Sequence, residues 1–593
     1  MVFSPSSRFP LGSLAPLALL ALNCSDPTPS PAGNPSNAQG GSSGASGLST
    51  GGAPGGSGGA SATGGTVSAS GGVAAGGAEP AAGGAAPAAG GAPEGGSSGG
   101  STPEGGGGSE AGGAGGSEEP ASGGAGGVAG GNASLGGGGS GGLPRGPANG
   151  FARNPIVSHV FTADPAARVF EGRVYVYTSH DLDDQMNYDM YDYHAFSSTD
   201  LVNWQDHGVV LDAANISWTD RLYAPDCCHS PTTGKYYLYF PNGGSGIGVA
   251  VSDSPAGPFE DALGKPLIDS NTPGVQDVDW IFDPACFVDD DGQAYLYFGG
   301  GPEDTGDNAR VIRLNDDMIS LADPTATTIP APDFFEASYM HKRDGKYYFS
   351  YSTTFKNHAA EIDYLVSDNP MTGFEHAGTI LPNPSGNNGN NNHHSIVEYA
   401  GNWYIFYHNR VLSNRDGFSD YQRSITLDTL TYDEQGNILK LSAEGSPVAQ
   451  LESVPAFSRV EAEMMADQRG VEVDFVRVGG ERAGVAVIDL NDGDWIGYSQ
   501  VDFGAGATAF HARVASGHAE GGTIELHVGG CEGFTETPGE LAGTCAVETT
   551  GGFQAWTDVT CDVTIPSGVH DLCLRFAGTS SQPLLALDHF RFE

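Results

Sequence analysis

A local pattern repeated five times constrains the fold of this chain more than any other feature. The segments are EGRVYVYTS, TGKYYLYFP, DGQAYLYFG, DGKYYFSYS and AGNWYIFYH, and in each a glycine precedes a tyrosine by three residues. The glycines are Gly172, Gly234, Gly292, Gly345 and Gly401, at intervals of 62, 58, 53 and 56 residues. A turn glycine before a run of aromatic and aliphatic residues predicts a β-hairpin. Five such hairpins at a near-constant period predict an all-β fold with a five-bladed β-propeller.

The repeat also places polar residues in register on the strand before each glycine. Seven to nine residues before the successive glycines are Asp164, Asp226, Asp283, Glu336 and the pair His393 and His394. The innermost strands of a propeller surround its central channel, so equivalent residues are expected to converge at one end of it. Carboxylates held close together raise one another's pKa, which is typical of functional sites. For any single acid, a loop cap is the alternative interpretation.

A cluster of carboxylates suits the hydrolysis of a glycosidic bond. That reaction needs one protonated acid for the leaving oxygen and one ionised base to activate water. The sequence contains no phosphate-binding loop, nucleophile elbow or zinc-binding motif that would indicate another chemistry. A glycosidase is therefore the function that the cluster favours.

Three segments around these acids resemble the signature regions of family 43 glycoside hydrolases. They are FTADPAARVFEGRVYVYTSHD, WIFDPACFVDDDGQAYLYFGGG and FFEASYMHKRDGKYYFSYS, within a resemblance that runs from about Asn154 to Gln450. Two more segments, beginning YFPNGGSG and NNNHHSIV, look like the branch that includes arabinoxylan arabinofuranohydrolases. The resemblance implies removal of α-L-arabinofuranosyl groups from arabinoxylan or arabinan. A β-xylosidase of the same family and an inactive surface glycan-binding protein are the alternatives.

The resemblance also implies a role for each of the three acids. Asp164 matches the general base, and Glu336 matches the general acid. Asp283 matches the carboxylate that orients the acid and tunes its pKa. Because the family inverts configuration, Asp164 is expected to activate a water molecule and to form no covalent intermediate.

Several residues are candidates for substrate binding. Phe161, Tyr223 and Trp280 are expected to line the sugar pocket, since aromatic side chains commonly line ligand sites, although core packing is the alternative for each. Arg423, in YQRSI, matches a substrate-binding arginine of relatives.

A histidine near the channel is a further candidate. His394, or its neighbour His393, matches a histidine that in many relatives faces the channel near a bound cation, often calcium. The resemblance therefore implies a calcium ion near His394, in addition to the one expected in the C-terminal module. The alternative is a histidine hydrogen-bonded within a strand.

The pattern changes after the predicted propeller domain, residues 151–455. Short alternating strands bounded by glycines predict a β-sandwich, or jelly roll, over 456–593. This region is similar to family 6 carbohydrate-binding modules, which implies a structural calcium ion held by Glu461, Glu463 and Asp588.

The sugar site that this second resemblance implies is incomplete. Trp556 matches the tryptophan of the family's binding cleft. Val487 or a neighbour stands where the facing tyrosine is expected, and Ala586 stands where an asparagine is expected. We expect weakened glycan binding there, with a docked structural domain as the other interpretation.

The N-terminal part carries the features of export. Residues 1–24 resemble a lipoprotein signal in which Cys24 becomes lipidated, with an ordinary secretory signal as the alternative. Residues 25–150 form a Gly/Ala/Ser-rich segment that we expect to be a disordered linker. The expected location is the outer cell surface or the medium, with membrane contact only through the lipid.

Charge and cysteine content agree with an exported enzyme that acts on a neutral polymer. The net charge is −46, from 71 acidic and 25 basic residues, which excludes nucleic acid as a partner because its phosphates would be repelled. The cysteines lack the spacing of a zinc site and predict disulfides. Connectivity is open; Cys531–Cys545 is the first expectation, and one of Cys227, Cys228 and Cys286 is expected to remain unpaired.

Overall fold

The computed structural model describes residues 150–593 apart from 184, 303–305, 385, 388–390 and 444. The expected signal peptide, Cys24 and all of the expected linker before residue 150 lie outside the described residues. The described part is almost entirely β-structure, with a 3₁₀ turn at Ala213–Asn215 and one α-helix, α1 (Val411–Asp416). It contains no helix that is long and apolar enough to cross a membrane.

Five antiparallel sheets form a five-bladed β-propeller, as predicted. Blade one contains β1 (Thr162–Phe170), β2 (Arg173–His180), β3 (Asp192–Ser198) and β4 (Trp204–Asp212). Blade two contains β5 (Asp226–His229), β6 (Tyr236–Pro241), β7 (Gly246–Ser252), β8 (Glu260–Asp261) and β9 (Ile268–Asp269). Blade three contains β10 (Ala285–Val288), β11 (Ala294–Phe298), β12 (Arg310–Arg313) and β13 (Thr327–Thr328). Blade four contains β14 (Phe334–Arg343), β15 (Lys346–Thr353), β16 (Ile362–Ser367) and β17 (Glu375–Leu381), and blade five contains β18 (His394–Tyr399), β19 (Asn402–Asn409) and β20 (Ser424–Leu430).

The innermost strands close a ring around the channel. These strands are β1, β5, β10, β14 and β18, and each contacts the next, with β18 returning to β1. The segment before β1 runs beside β20, where the Ile156 N–H donates to the Ile425 carbonyl at 3.0 Å. This pairing covers an edge of blade five, so the two ends of the propeller are joined through that blade.

The repeated glycines form the turn between the first and second strands of each blade. Their φ angles lie between 70° and 87°, in the left-handed region that favours glycine. No atom lies within 4 Å of where a Cβ at Gly172 would stand, so the backbone conformation and not space explains the glycine there. The five-fold repeat in the sequence is therefore a repeat of hairpin turns.

The C-terminal region is a β-sandwich. One sheet is built on β21 (Val454–Pro455), β24 (Asp467–Arg469), β27 (Trp495–Asp502), β29 (Gly522–Val528), β30 (Glu540–Val547) and β32 (Val569–Ala577). The other is built on β22 (Val460–Glu461), β25 (Glu472–Val478), β26 (Glu481–Leu490), β28 (Ala507–Ser516), β31 (Gly552–Ile565) and β33 (Leu585–Phe592). Their inner faces enclose a core that includes Phe510, Leu526, Leu574 and Phe590. Although β21 lies within the expected propeller boundary, it pairs with β27 of the sandwich.

The disulfides correct one expectation. Cys545 on β30 pairs with Cys561 on β31, and Cys531 pairs with Cys573 on β32. The expected Cys531–Cys545 bond is wrong, because Cys531 follows β29 and lies beside β32, which is the neighbour of β29 in the sheet. Sequence spacing does not reveal which strands are neighbours.

The middle cysteines behave as expected. Cys228 on β5 pairs with Cys286 on β10 and joins blades two and three. Cys227 is buried and is the unpaired cysteine among those that the structure describes.

The sandwich is docked on blade one. Strand β23 (Met464–Met465) pairs antiparallel with β4, opposite Gln205 and Trp204, and becomes a fifth strand of that blade. Nearby, the Arg153 guanidinium donates to Asp467 at 2.8 Å with both side chains buried. Shared sheet pairing and a buried ion pair hold the two domains together.

Candidate active site

The three predicted catalytic carboxylates lie at the ends of innermost strands and are buried. Asp164 belongs to β1, Asp283 precedes β10 and Glu336 belongs to β14, with 4%, 2% and 6% of their surfaces exposed. Strand pairing is irregular at Asp164 and at Glu336. Positive φ angles occur at Asp164 (51°), Asp283 (42°) and Ala337 (62°). Bulges and strained backbone of this kind redirect side chains and cluster at functional sites.

Asp164 has the contacts of an ionised base. Its Oδ1 accepts a hydrogen bond from Arg423 Nη1 at 2.7 Å, and its Oδ2 accepts one from Ser179 Oγ at 2.8 Å. Burial alone would raise the pKa of Asp164, but the charge of Arg423, together with smaller contributions from His408 and His393, outweighs it and holds that pKa well below its usual range. Asp164 is therefore ionised at neutral pH.

Arg423 is fixed by a second acid that the sequence did not single out. Asp181, just after β2, accepts bonds from Arg423 Nε and Nη2, both at 2.8 Å. The Asp181 N–H donates to the carbonyl of Phe161 at 3.1 Å. A bidentate pair of this kind holds a guanidinium in one orientation, so Asp181 fixes the group that holds Asp164.

Asn391 links the base to the acid. Its Oδ1 accepts from Arg423 Nη1 at 2.9 Å, and its Nδ2 donates to Glu336 Oε1 at 2.7 Å. His408 Nε2 donates to the Asn391 carbonyl at 2.7 Å, while Nδ1 accepts from the Asp164 N–H at 3.2 Å. Nothing in the sequence singled out Asn391 beyond its place in an asparagine-rich loop.

Glu336 has the properties of a general acid. Burial and the charge of Asp164 raise the pKa of Glu336 to about 8, against the opposing effects of Arg423 and Asn391. At neutral pH Glu336 is therefore mostly protonated, while Asp164 beside it is ionised. Two carboxyl groups with widely separated pKa values are what acid–base hydrolysis requires.

Asp283 acts on the acid through the backbone. Its Oδ2 accepts from the N–H of Ala337, the residue after Glu336, at 2.8 Å. Burial raises the pKa of Asp283, and the carboxyls of Glu336 and Asp164 add to the effect. This position suits the orienting and tuning role that the family resemblance implied.

The structure places His393, and not His394, beside the acids. His393 Nδ1 lies 3.7 Å from Asp164 Oδ1 and 3.6 Å from Asp283 Oδ2, and burial lowers the pKa of His393 to about 4. His394 instead lies in β18 with its Nε2 2.6 Å from Ser350 Oγ. Among the described residues, no group of His, Cys, Asp and Glu side chains able to hold a metal includes His394. The described residues therefore offer no group of metal-binding side chains at His394, where the resemblance implied an ion.

The predicted aromatic residues fall into two groups. Tyr223 lies 5.4 Å from Phe282, and Trp280 lies 6.2 Å from the same ring, measured between centroids. Phe282, missed in the sequence, directly precedes Asp283, so this row borders the carboxylates. Phe161 packs edge-on against Phe418 at 5.0 Å, beside the Arg423–Asp181 pair.

Asp226 occupies the channel interior in a structural position. Its Oδ1 accepts from Arg168 Nε at 2.9 Å, and its Oδ2 accepts from the Cys286 N–H at 2.7 Å. Arg168 also donates to Tyr339 Oη at 2.9 Å. These contacts join blades one, two, three and four across the channel.

Two of the three predicted calcium ligands of the sandwich, Glu461 and Asp588, come together. Carboxylate oxygens of Glu461 and Asp588 lie with a ring nitrogen of His589 inside 4.8 Å. Glu463 is buried beside them, with its Oε2 lacking a hydrogen-bond partner among the described residues. Burial raises the pKa of Glu463, and Glu461 and Asp588 add to the effect. A buried oxygen of Glu463 without a hydrogen-bond partner among the described residues, beside the converging carboxylates of Glu461 and Asp588, fits a calcium ion, which prefers oxygen donors.

Trp556 is half-buried on the sandwich, with the Arg513 guanidinium 6.0 Å from its ring. Val487 and Ala586, where the resemblance implied sugar-binding partners, are fully buried in the core. Neither offers a second face or a polar group to a sugar at Trp556.

An ionised base and a protonated acid, linked at one end of a five-bladed propeller, define a glycoside hydrolase. Residues 152–438 match the family model for Glycosyl hydrolases family 43, and residues 461–593 match that for Carbohydrate binding module (family 6). The chain belongs to glycosyl hydrolase family 43, which confirms the resemblance seen in its motifs.

Relatives of this chain cover both domains or the propeller alone. An arabinoxylan arabinofuranohydrolase from Paenibacillus polymyxa is 39% identical over 478 residues, covering 74% of this chain and 74% of that protein. A xylosidase/arabinosidase from Humicola insolens is 39% identical over 346 residues, covering 48% of this chain and 98% of that protein. The crystal structure of a Bacillus subtilis arabinoxylan arabinofuranohydrolase in complex with cellotetraose is 36% identical and superposes with a TM-score of 0.68, covering 74% of this chain and 97% of that one.

Proposed function

We propose that this enzyme removes α-L-arabinofuranosyl groups from arabinoxylan or arabinan with inversion of configuration. The observation that carries the proposal is the hydrogen-bonded link from Asp164 through Arg423 and Asn391 to Glu336. The link joins an ionised base to a protonated acid in a chain whose two-domain relatives include arabinoxylan arabinofuranohydrolases.

Each carboxyl group has one task in this reaction. Asp164 takes a proton from a water molecule, whose oxygen attacks the anomeric carbon from the face opposite the leaving group. Glu336 gives its proton to the glycosidic oxygen as that bond breaks. One water is consumed, the released sugar has inverted configuration, and proton exchange with solvent restores both groups. Asp283 positions Glu336, and Arg423 keeps Asp164 ionised.

The surroundings of the acids suit a polysaccharide with side groups. The row of Tyr223, Phe282 and Trp280 offers an aromatic wall for a sugar ring next to Asp283. On the Arg423 side, Phe418 is 40% exposed and Met186 is 68% exposed. Exposed apolar side chains next to a buried site give an extended chain a surface to lie on while one side group enters.

A β-xylosidase is the second candidate, because propeller-length relatives include a xylosidase/arabinosidase. The test compares aryl α-L-arabinofuranoside with aryl β-D-xyloside, and arabinoxylan with linear arabinan and xylobiose. We expect the arabinosyl substrates to be cleaved with the higher kcat/KM. A preference for the xylosyl substrates would select the second candidate.

Substitution of the acids separates an enzyme from an inactive glycan-binding protein. We expect Asp164→Ala and Glu336→Ala to lower kcat on the preferred aryl glycoside by about 10²–10⁴-fold each. The matched control is Glu375→Ala, which removes an exposed glutamate on β17. Equal activity in the parent and both active-site variants would overturn the catalytic assignment.

We also propose one calcium ion in the sandwich, held by Glu461, Glu463 and Asp588. The converging carboxylates and the buried Oε2 of Glu463 support it. Gln205 of β4 donates to Glu463 Oε1 at 3.2 Å, so this ligand lies at the junction of the two domains. An ion bound there would have a structural role, because it would stabilise that junction.

We further propose that the protein is exported and anchored at the outer cell surface by a lipid on Cys24. The N-terminal sequence supports this, and three disulfides are typical of proteins from oxidising compartments. Metabolic labelling with a fatty acid, compared between the parent and Cys24→Ser, tests it. Equal labelling of the two would contradict lipidation at Cys24.

A further inference from the structure

A cluster of two histidines and one aspartate lies on blade one outside the catalytic link. His180 is the last residue of β2, while Asp192 and His194 lie on the neighbouring strand β3. One ligand atom from each lies within 4.8 Å of the other two. Asp192 Oδ1 is 2.9 Å from His180 Nδ1 and 3.9 Å from His194 Nε2.

These separations match a metal coordination sphere. Two ligands that are each about 2.1 Å from a tetrahedral zinc ion lie about 3.4 Å apart. The observed 2.9 Å and 3.9 Å bracket that value without any movement of the backbone. Two imidazoles and one carboxylate are also a donor set that zinc and neighbouring first-row ions prefer over calcium.

A buried second acid orients His194 as a metal ligand. His194 Nδ1 lies 3.4 Å from Oδ1 of Asp206, and His159 Nε2 lies 2.8 Å from Oδ2 of the same residue. Asp206 is fully buried. A metal-binding histidine usually donates its other ring N–H to a carboxylate in this way.

The hydrogen-bond pattern leaves a place for a cation. When His194 Nδ1–H donates to Asp206, its Nε2 faces the Asp192 carboxylate at 3.9 Å. That position can take either a proton or a metal ion, and either one neutralises the facing carboxylate. We propose that His180, Asp192 and His194 bind one zinc ion or a similar first-row transition ion, with a fourth position open to water.

The surroundings favour a cation and allow it to enter. Glu472 of the sandwich lies close enough to His180, His159 and Asp183 to interact with them electrostatically, which adds negative charge beside the cluster. The side chains of His180 and Asp192 are 21% and 19% exposed, so the ion reaches the site from solvent.

A metal ion bound by His180, Asp192 and His194 would affect the active site through the backbone. His180 directly precedes Asp181, which fixes Arg423. Tying the end of β2 to β3 would therefore restrict the residue that holds the base in position. This role is structural and needs no change in the hydrolytic mechanism.

The test measures metal binding by the full chain and does not use hydrolysis, so its outcome is independent of the substrate. Protein stripped with EDTA and returned to excess calcium is titrated with zinc chloride by calorimetry, and with cobalt(II) by visible absorption. We expect one equivalent of zinc per chain and a tetrahedral cobalt spectrum. His180→Gln and Asp192→Asn should each weaken zinc binding by tenfold or more.

Two control variants identify the site. His376→Gln alters an exposed histidine–aspartate pair on blade four with a similar contact of 2.8 Å, and His589→Gln alters the second histidine-containing cluster among the described residues. Both should bind zinc as the parent does. The proposal would be overturned if His589→Gln lost zinc binding, or if His180→Gln and Asp192→Asn kept it. It would also be overturned if the folded parent protein did not bind zinc stoichiometrically. Circular dichroism of the metal-free variants checks that each is folded. Substitution of His180 should disturb folding least, because its side chain is partly exposed.

Discussion

The electrostatics of the active site centre on Arg423, which is shared by two acids. Its guanidinium contacts both Asp164 and Asp181 and also reaches Asn391. Because a single positive charge is closer to Asp164 than to Glu336, the two carboxyls are driven to opposite protonation states. Removal of water from the site strengthens this separation.

The raised pKa of Glu336 predicts opposite effects on activity and stability. The acid must be protonated, so kcat/KM should fall as the pH rises through about 8. A carboxyl whose pKa is higher in the folded than in the unfolded protein removes stability as the pH rises from about 4.5 to about 8. Glu336→Gln should therefore melt at a higher temperature than the parent at pH 8, by a margin that shrinks towards pH 4.5, while losing activity.

Calorimetric melting curves and the pH profile of kcat/KM measure these two effects. Glu375→Gln, on the surface of blade four, is the matched control and should change neither. The assignment would be contradicted if kcat/KM did not fall as the pH rises through about 8, or if the margin by which Glu336→Gln outlasts the parent were no larger at pH 8 than at pH 4.5.

The innermost strands explain which parts of the site could be predicted from the sequence. Asp164, Asp283 and Glu336 each stand eight or nine residues before a turn glycine, so local periodicity was enough to place them together. Asn391 and Asp181 contact the site from loops with no repeat. The partners of Cys531 and Cys545 depend on which strands are neighbours in the sandwich, which spacing does not encode. Asp226 shares the register of the acids, yet its role depends on Arg168 reaching it across the channel.

The channel ion pair is expected to stabilise the propeller without taking part in catalysis. Asp226→Asn leaves the largely buried Arg168 without its charge partner, at a cost of about 3 kcal/mol. We expect the melting temperature to fall by several degrees, with KM for the aryl glycoside unchanged. Asp368→Asn, which alters an exposed pair with Lys346, is the control. A changed KM with unchanged melting would show instead that Asp226 binds substrate.

At the scale of the whole molecule, the sandwich extends a blade of the enzyme. Strand β23 completes blade one, and Val202 packs with Trp495 and Phe534 across the junction. A carbohydrate-binding module joined in this way moves with the active site, unlike one carried on a flexible tether. This fits a C-terminal domain whose sugar cleft lacks partners for Trp556.

The buried pair at the junction should couple the unfolding of the two domains. Asp467→Asn removes the partner of Arg153, so we expect a loss of about 3 kcal/mol and a melting transition that broadens or splits. Scanning calorimetry of the full chain records it. Asp253→Asn, which alters the exposed pair with Lys235, should leave the transition unchanged. A variant that melts as the parent does would mean that the ion pair adds nothing to the sheet pairing and apolar packing that join the domains.

Proton NMR of the first product formed tests base catalysis by Asp164 together with acid catalysis by Glu336 on arabinosyl groups. Wheat arabinoxylan is mixed with the enzyme, and the anomeric signals are followed before mutarotation. We expect arabinose to be released first, as the β-anomer. Release of the α-anomer would contradict inversion, and release of xylose first would contradict the arabinosyl substrate.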